Sequence, residues 1–362
     1  MWIWEQKDWP IFEYDLKKIM PYIEQTVRVV SPLVTLAKQL EQDKSLQFEA
    51  QVLLDEVLST AKIEGETLDR ESVRSSIVNR LGIGKVSRLS KSSQAFVDVL
   101  LESIRTSQQP LAECDLFKWH QMLFIEKPLL HDMKIGGYRN DSMQVVSGRY
   151  GKQQIHFEAP CKHDACVKSE MVGLFHYINE VSEGSDYIKA AIAKFWFVTI
   201  HPFDDGNGRF SRIIAERLLA KSEATAVRFY SISAQIEKNR KGYYDILERT
   251  QKGDLELTEW IIWFLEQVQQ AAESSWKTLQ KIQLSAVFWE RHQLVAFNER
   301  QRKILQRVLE TDQFLEGVTR KKYKKLTQAS EVTSARDLKN LVEKGVMKKI
   351  GLGRATKYVL VL

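Results

Sequence analysis

The segment His201-Pro202-Phe203-Asp204-Asp205-Gly206-Asn207-Gly208-Arg209-Phe210-Ser211-Arg212 decides how this chain is read. Gly206-Asn207-Gly208 stands directly before an amphipathic run, Arg209–Ala220, so its backbone amides are expected at the N-terminus of a helix. Such an end attracts anions, because its N–H groups lack intrahelical partners and the helix dipole is positive there. The two glycines let a bulky anion approach the backbone. Arg209 and Arg212 share a face of the first turn, where each cation opposes the dipole by about 0.3–1 kcal/mol. A bound polyphosphate resolves that conflict. Asp205 supplies a carboxylate of the kind that holds Mg²⁺ together with phosphate oxygens. His201 brings an imidazole able to take a proton from an attacking hydroxyl, and Phe203 is expected to bury its ring and fix the loop. Singly, these residues read as a helix boundary, a turn and a solvated Arg-x-x-Arg face. Their conjunction in one short stretch points to a nucleotide site.

Around this segment the chain before residue 290 is patterned as helix. Leu46–Leu58, Gln94–Ile104, Ala165–Val181, Tyr187–Val198 and Leu255–Gln270 place apolar residues three and four apart, and Pro110, Pro128, Pro160 and Pro202 fall at expected element edges. One stretch breaks the period. Gly136-Gly137-Tyr138-Arg139 leads into Met143-Gln144-Val145-Val146, a Ser147-Gly148-Arg149-Tyr150-Gly151 turn and Gln154-Ile155-His156-Phe157. That pattern predicts a β-hairpin. A lone two-stranded ribbon is marginal unless it leans on other structure, and a flap over a binding site is one such use.

The central segment is similar to the signature of the Fic family, His-x-Phe-x-Asp/Glu-Gly-Asn-Gly-Arg-x-x-Arg, and matches it at every specified position. The hairpin falls where that family has its flap, and the resemblance covers residues 45–270. It implies a mainly α fold, a Fic-type helical core with a β-hairpin flap. It also implies an enzyme that transfers AMP from ATP to a Ser, Thr or Tyr hydroxyl of a target protein, or of the chain itself, with Mg²⁺. By motif position His201 would be the catalytic base and Asp205 the metal ligand. The amides of Gly206, Asn207 and Gly208 would hold the phosphates, Arg209 would assist, and Arg212 would bind the γ-phosphate. Flap residues Val145, Val146, Ser147 and Gly148 would line the nucleotide and align the target strand. Tyr243 and Gln251 would flank the adenine, with core packing the alternative for Tyr243. Relatives that use UTP or other diphosphate-linked donors leave the nucleotide open.

Thr60-Ala61-Lys62-Ile63-Glu64-Gly65 resembles the family's inhibitory Ser/Thr-x-x-x-Glu-Gly/Asn element. The resemblance implies that Glu64 pairs with Arg212 and blocks the γ-phosphate seat. A carboxylate can do this because it mimics a phosphate oxygen toward a guanidinium. The plain alternative is a helix-end glutamate followed by a C′ glycine. In some relatives the equivalent glutamate also supports removal of AMP.

The last seventy residues change character. Asn298 with Gln301 forms a capping box opening a helix to Glu310. A basic helix follows over Thr319–Gln328. Thr333 or Ser334 is expected to cap a third, with Ala335, Leu338, Leu341 and Val342 inward and Gly345 at its end. Val346–Ile350 and Thr356–Leu360 form a terminal hairpin. This order spells a winged helix-turn-helix. Between Val318 and Lys357 twelve Lys and Arg face three Asp and Glu, whereas the whole chain carries only +6. A basic block on a slightly acidic body points to a polyanionic partner. Lys321, Lys322, Lys324 and Lys325 could meet DNA phosphates, with Thr333, Ser334 and Arg336 starting a recognition helix. Winged helices also serve as protein or homodimer interfaces.

The expected organisation is therefore a helical region over 1–110 carrying the inhibitory helix, a Fic catalytic core over 111–285 and a winged-helix module over 290–362. The rival is a DNA-binding transcriptional regulator whose nucleotide site is sensory or vestigial. The 362 residues, 44% hydrophobic and 28% charged, suit a globular protein of two or three domains. There is no membrane-length apolar run, and the N-terminus lacks a signal-peptide pattern. Three cysteines argue against a disulfide framework, so the plain expectation is cytoplasmic. Cys161, His163 and Cys166 do not match zinc spacing and read as a loop entering a helix. Trp2, Trp4 and Trp9 are expected to pack onto the helical body.

Overall fold

The computed structural model describes residues 1–362 except 85–90, 126–132, 148–153, 182–183, 311–313, 315 and 362. It divides into two compact units, 1–275 and 276–362. The described residues are mainly helical, with two small two-stranded sheets.

In the first unit, α1 (Leu16–Lys38), α2 (Gln42–Ile63), α3 (Arg70–Arg80), α4 (Lys91–Arg105) and α5 (Glu113–Leu123) precede a hairpin of β1 (Gln144–Ser147) and β2 (Gln154–Glu158). There follow α6 (Asp164–Asn179), α7 (Asp186–Ile200), α8 (Asn207–Ser222), α9 (Ile232–Lys238) and α10 (Arg240–Gln251). Then α11 (Thr258–Arg291) carries the chain past residue 275. It outruns the expected Leu255–Gln270, because neither Gly nor Pro interrupts 258–291. Its start is delayed because the Leu255 carbonyl accepts from Glu13 N–H instead of opening the helix. Pro21 and Pro32 lie inside α1, away from the element edges where the other prolines were placed.

The centre of this unit is the pair α7 and α8. Every residue from Ala190 to Ile200 and from Arg209 to Ala220 is buried. A helix covered on all sides belongs to a core, so α8 departs from its amphipathic reading. Its polar side chains are satisfied internally. Arg217 donates to the carbonyls of Ser103, Thr106 and Gln109 and to the Thr106 hydroxyl. Glu216 pairs with Arg228 at 2.6 Å. Buried charges persist only when paired in this way. The N-terminal aromatics pack as expected: Trp2 lies edge-on to Phe157, and Trp9 to Trp196. A disulfide joins Cys161 and Cys166, contrary to the cysteine expectation; the turn into α6 brings their Cα atoms to 5.5 Å, inside the range a disulfide spans. His163 caps α6 by accepting from Cys166 N–H, so this cluster is a helix entry.

The second unit contains α12 (Glu299–Glu310), α13 (Arg320–Thr327), α14 (Glu331–Glu343) and a hairpin of β3 (Met347–Ile350) and β4 (Lys357–Leu360). Asn298 and Gln301 make the expected reciprocal caps. Ser330, not Thr333 or Ser334, caps α14: its hydroxyl accepts from Thr333 N–H at 3.1 Å, so the helix begins three residues earlier. Ser334 is buried and bonds back to the Ser330 carbonyl, so it does not face outward. Leu338, Leu341, Ile304, Leu305, Tyr323 and Met347 share the core. Within it Asp337 accepts from Arg300, Asn298 and Tyr323. No described helix is long and apolar enough to cross a membrane.

Candidate active site

Helix α7 stops at His201, whose backbone is left-handed at φ 53. The proline that follows disfavours a continued α conformation. The loop back to α8 is closed by Asn207, whose side chain accepts from Phe203 N–H at 2.9 Å and donates to the Phe203 carbonyl at 2.8 Å. The Phe203 ring is fully buried against His120, Tyr138, Phe197 and Phe210. Gly206 starts α8 at φ 85, a conformation that suits glycine.

A second set of residues holds the loop from beneath. Arg139 is completely buried and donates to the carbonyls of His201 (2.8 Å), Ile200 (3.3 Å), Asp141 and Cys161. His120 accepts from Gly136 N–H through Nδ1, so its Nε2–H donates to the Asp205 carbonyl at 3.3 Å. Neither role is visible in the sequence, where Arg139 stands out only by following Gly136-Gly137-Tyr138. A lone histidine on an apolar helix face carries no signal of this kind.

His201 Nδ1 lies 3.1 Å from the Val198 carbonyl. A carbonyl only accepts, so Nδ1 carries the proton and Nε2 keeps a lone pair. Burial pushes the imidazole pKa down to about 4; the Val198 hydrogen bond opposes that shift and the Arg139 cation adds to it. The ring is therefore a neutral base near pH 7.

Arg212 is buried in the first turns of α8. Its Nε donates to Thr60 Oγ1 at 3.1 Å and its Nη2 to Glu64 Oε1 at 2.6 Å. Burial works against the Glu64 carboxylate, yet Arg212, with help from Arg209, holds its pKa below the usual range. A Cβ added to Gly208 would stand 2.3 Å from Glu64 Oε1, so the carboxylate rests directly on the glycine backbone. Arg209 pairs with Glu66 at 3.2 Å and with Asp205 at 3.6 Å. Arg209 Nε and Arg212 Nη1 are buried without a hydrogen-bond partner. Asp205 is otherwise exposed, and its carboxylate accepts from Gly206 N–H at 2.6 Å.

Thr60 is anchored in turn. Its hydroxyl hydrogen-bonds Ser233 and Glu56, and the buried Glu56 carboxylate also accepts from the Ser231 hydroxyl at 2.7 Å and Ser233 N–H at 3.2 Å. This network ties α2, which ends at Ile63 just before Glu64, to the start of α9.

The remaining predicted residues are placed differently. Tyr243 is buried with its hydroxyl accepting from Lys194 Nζ at 3.1 Å and its ring stacked on Trp263; Arg212 lies close enough to influence it. Gln251 is buried and donates to Thr199 Oγ1 at 3.2 Å. Val145, Val146 and Ser147 are exposed on β1, and Gly148 lies outside the described residues.

A helix-ending histidine, a glycine loop opening a buried helix and two arginines thus stand together in the first unit. Residues 110–219 match the Fic/DOC family, and the chain carries a Fic/DOC family domain. Residues 2–83 match a domain of unknown function, DUF4172. A Protein adenylyltransferase Fic from Aedes aegypti is 24% identical over 210 residues, covering 57% of this chain and 39% of that protein. One from Culex quinquefasciatus is 38% identical over 66 residues, covering 18% of this chain and 12% of that protein. The chain thus spans well under half the length of these relatives. The crystal structure of a Fic family protein from Desulfovibrio desulfuricans G20 superposes with a TM-score of 0.55 at 17% identity, covering 95% of this chain and 96% of that one. A Fic domain containing signaling protein from Bacteroides thetaiotaomicron VPI-5482 gives 0.52 at 16% identity, covering 73% and 96%. These neighbours establish the fold as Fic-type.

Proposed function

We propose that this chain transfers AMP from ATP to a Ser, Thr or Tyr hydroxyl of a target protein and is restrained by Glu64. The observation that carries the reading is the pairing of a neutral His201 with two buried arginine nitrogens that lack partners beside a glycine helix start. Orphaned guanidinium nitrogens at a helix N-terminus are suited to phosphate oxygens. The adenylyltransferase names of the mosquito relatives support the same class of reaction.

In this reading the amides of Gly206, Asn207 and Gly208 and the guanidinium of Arg209 hold the phosphates. Arg212 takes the γ-phosphate. His201 Nε2 removes the proton from the incoming hydroxyl as its oxygen attacks the α-phosphorus and pyrophosphate leaves. Tyr243 and Gln251 would border the adenine from α10, and Val145, Val146 and Ser147 would face nucleotide and target. The exposed Asp205 carboxylate fits Mg²⁺, which takes one or two carboxylates plus phosphate oxygens and needs no protein cage; among the described residues no larger group of metal-ligating side chains exists. Mg²⁺ would neutralise phosphate charge there. Hydrolytic removal of AMP is a second reaction compatible with Glu64. Incubation with ATP and Mg²⁺, followed by intact mass measurement of the chain and of lysate proteins, tests the reading. Absence of any AMP adduct, even from the Glu64→Gly protein, would overturn it.

The pH dependence follows from His201. Its pKa lies near 4 instead of the ordinary 6.5, so the base stays neutral as pH falls through 6.5 and is lost only on approach to 4. In the same window the unfolded chain binds the extra proton, so stability decreases as pH falls. The expected transfer rate of Glu64→Gly therefore holds at pH 6 and declines below 5. A rate that already halves at pH 6.5 would show an ordinary, solvated imidazole.

The second unit is proposed as a winged-helix module that contacts DNA. Lys321, Lys322, Lys324 and Lys325 are exposed on α13, as are Arg336 on α14 and Lys348 and Lys349 on β3. The full chain is expected to bind duplex DNA with an affinity that falls steeply with added salt. Flat fluorescence anisotropy at low salt would favour a protein or homodimer interface instead.

A further inference from the structure

The hairpin carries a hydrogen-bonded series in which His156 and Glu248 have no part in the transfer reaction as described. In β1 and β2, Val145 pairs with Phe157 and Val146 with Ile155, so His156 is the extra residue of a bulge. Bulges re-aim side chains, and they are over-represented beside active sites. Here His156 Nδ1 meets Glu248 Oε2 on α10 at 2.8 Å, and Nε2 meets Ser147 Oγ at 2.6 Å. Lys252, at 2.5 Å from the other carboxylate oxygen, helps hold the Glu248 carboxyl below its usual range, so Glu248 is an acceptor. Nδ1 must then donate to it, and Nε2 accepts the Ser147 proton. A hydroxyl, a base and a group orienting the base stand in series, as an activated nucleophile requires. Ser147 is exposed, and the side chains of His156 and Glu248 are 29% and 31% exposed, so an electrophile can reach the hydroxyl.

We propose that Ser147 is a modification site, the residue of this chain that itself accepts AMP. The proposal rests on the AMP-transfer reading, which supplies the electrophile. Ser147 Oγ forms a bond to the α-phosphorus of ATP, and the bond from that phosphorus to the bridging oxygen breaks. Pyrophosphate leaves with the electron pair. The Ser147 proton passes to His156 Nε2, where Glu248 stabilises the imidazolium. The product is a phosphodiester of Ser147, which places a nucleotide and a negative charge on the strand expected to align targets.

The test uses the full-length Glu64→Gly protein with ATP, Mg²⁺ and a cell lysate, followed by peptide mapping of every adduct. AMP on Ser147 is expected. Adding His156→Gln should lower the Ser147 adduct, relative to adducts on lysate proteins, by at least about tenfold, since a positioned base typically contributes 10²–10⁴. Glu248→Gln, at a partly exposed helix position, should lower the same ratio and replaces His156→Gln if that variant misfolds. Adducts on lysate proteins with Ser147 bare would overturn this proposal alone. An unchanged ratio in both variants would mean that the relay only ties the hairpin to α10, and would overturn it too. No adduct on any protein would overturn the transfer reading and this one with it.

Discussion

Glu64→Gly is expected to raise AMP incorporation at least about tenfold, the factor that corresponds to 1.4 kcal/mol of barrier. Glu64 holds Arg212 at 2.6 Å, a charge-assisted hydrogen bond of the kind that contributes roughly 1.5–3 kcal/mol. The same carboxylate lies on Gly208, where phosphate oxygens would approach the backbone. Removing it frees the guanidinium for the γ-phosphate and opens the glycine surface in one step. Arg212→Ala should not reproduce the gain, because it deletes the partner of the carboxylate and of the phosphate together. Assays of the parent, both single variants and the double variant at one ATP concentration decide the matter. If Glu64→Gly is no faster while folded, Glu64 is only a helix-end residue. Removing Glu64 leaves the buried Arg212 charge without its anionic partner, so Glu64→Gly should melt earlier than the parent without nucleotide and recover when ATP and Mg²⁺ are added.

His201→Ala, made in the Glu64→Gly background, should lower transfer about 10²–10⁴-fold, the range for loss of a general base. The Val198 carbonyl fixes the Nδ1 proton, so Nε2 is the only ring nitrogen that can accept another. The proposed phosphate seat draws on α8 and the loop amides, so nucleotide binding should change little. Equal transfer with and without the imidazole would remove His201 from the chemistry. The left-handed backbone at His201 makes a folding control necessary, since alanine tolerates that conformation less well than glycine or asparagine does.

Much of this site was legible because it is contiguous. Two glycines, a proline and two arginines within one stretch state a helix stop, a loop and a new helix start without help from distant residues. The hairpin and the Asn298–Gln301 capping box were legible for the same local reason. What escaped the sequence depends on partners far along the chain. Arg139 gathers four carbonyls from three segments, and His120 braces Asp205 across 85 positions. Glu56 acts on serines more than 170 residues away. The charge pattern of α8 reads as a wet face because sequence periodicity cannot register that Ser103, Thr106, Gln109 and Arg228 wait to receive it. The cap of α14 falls three residues before the expected one because Ser330, Thr333 and Ser334 each offer a hydroxyl that can accept an amide.

Glu64 lies within the stretch that matches DUF4172, while Gly208 and Arg212 lie within the Fic/DOC match. On the proposed function, one segment therefore occupies the other's ligand seat, and the two occupants exclude each other. Thermodynamic reciprocity follows: whatever binds α2 and draws Glu64 away tightens ATP by some factor, and ATP must tighten that binder by the same factor. A cell could thus set the chain's activity through a protein that never approaches His201, and the nucleotide level would in turn decide how firmly that protein is held.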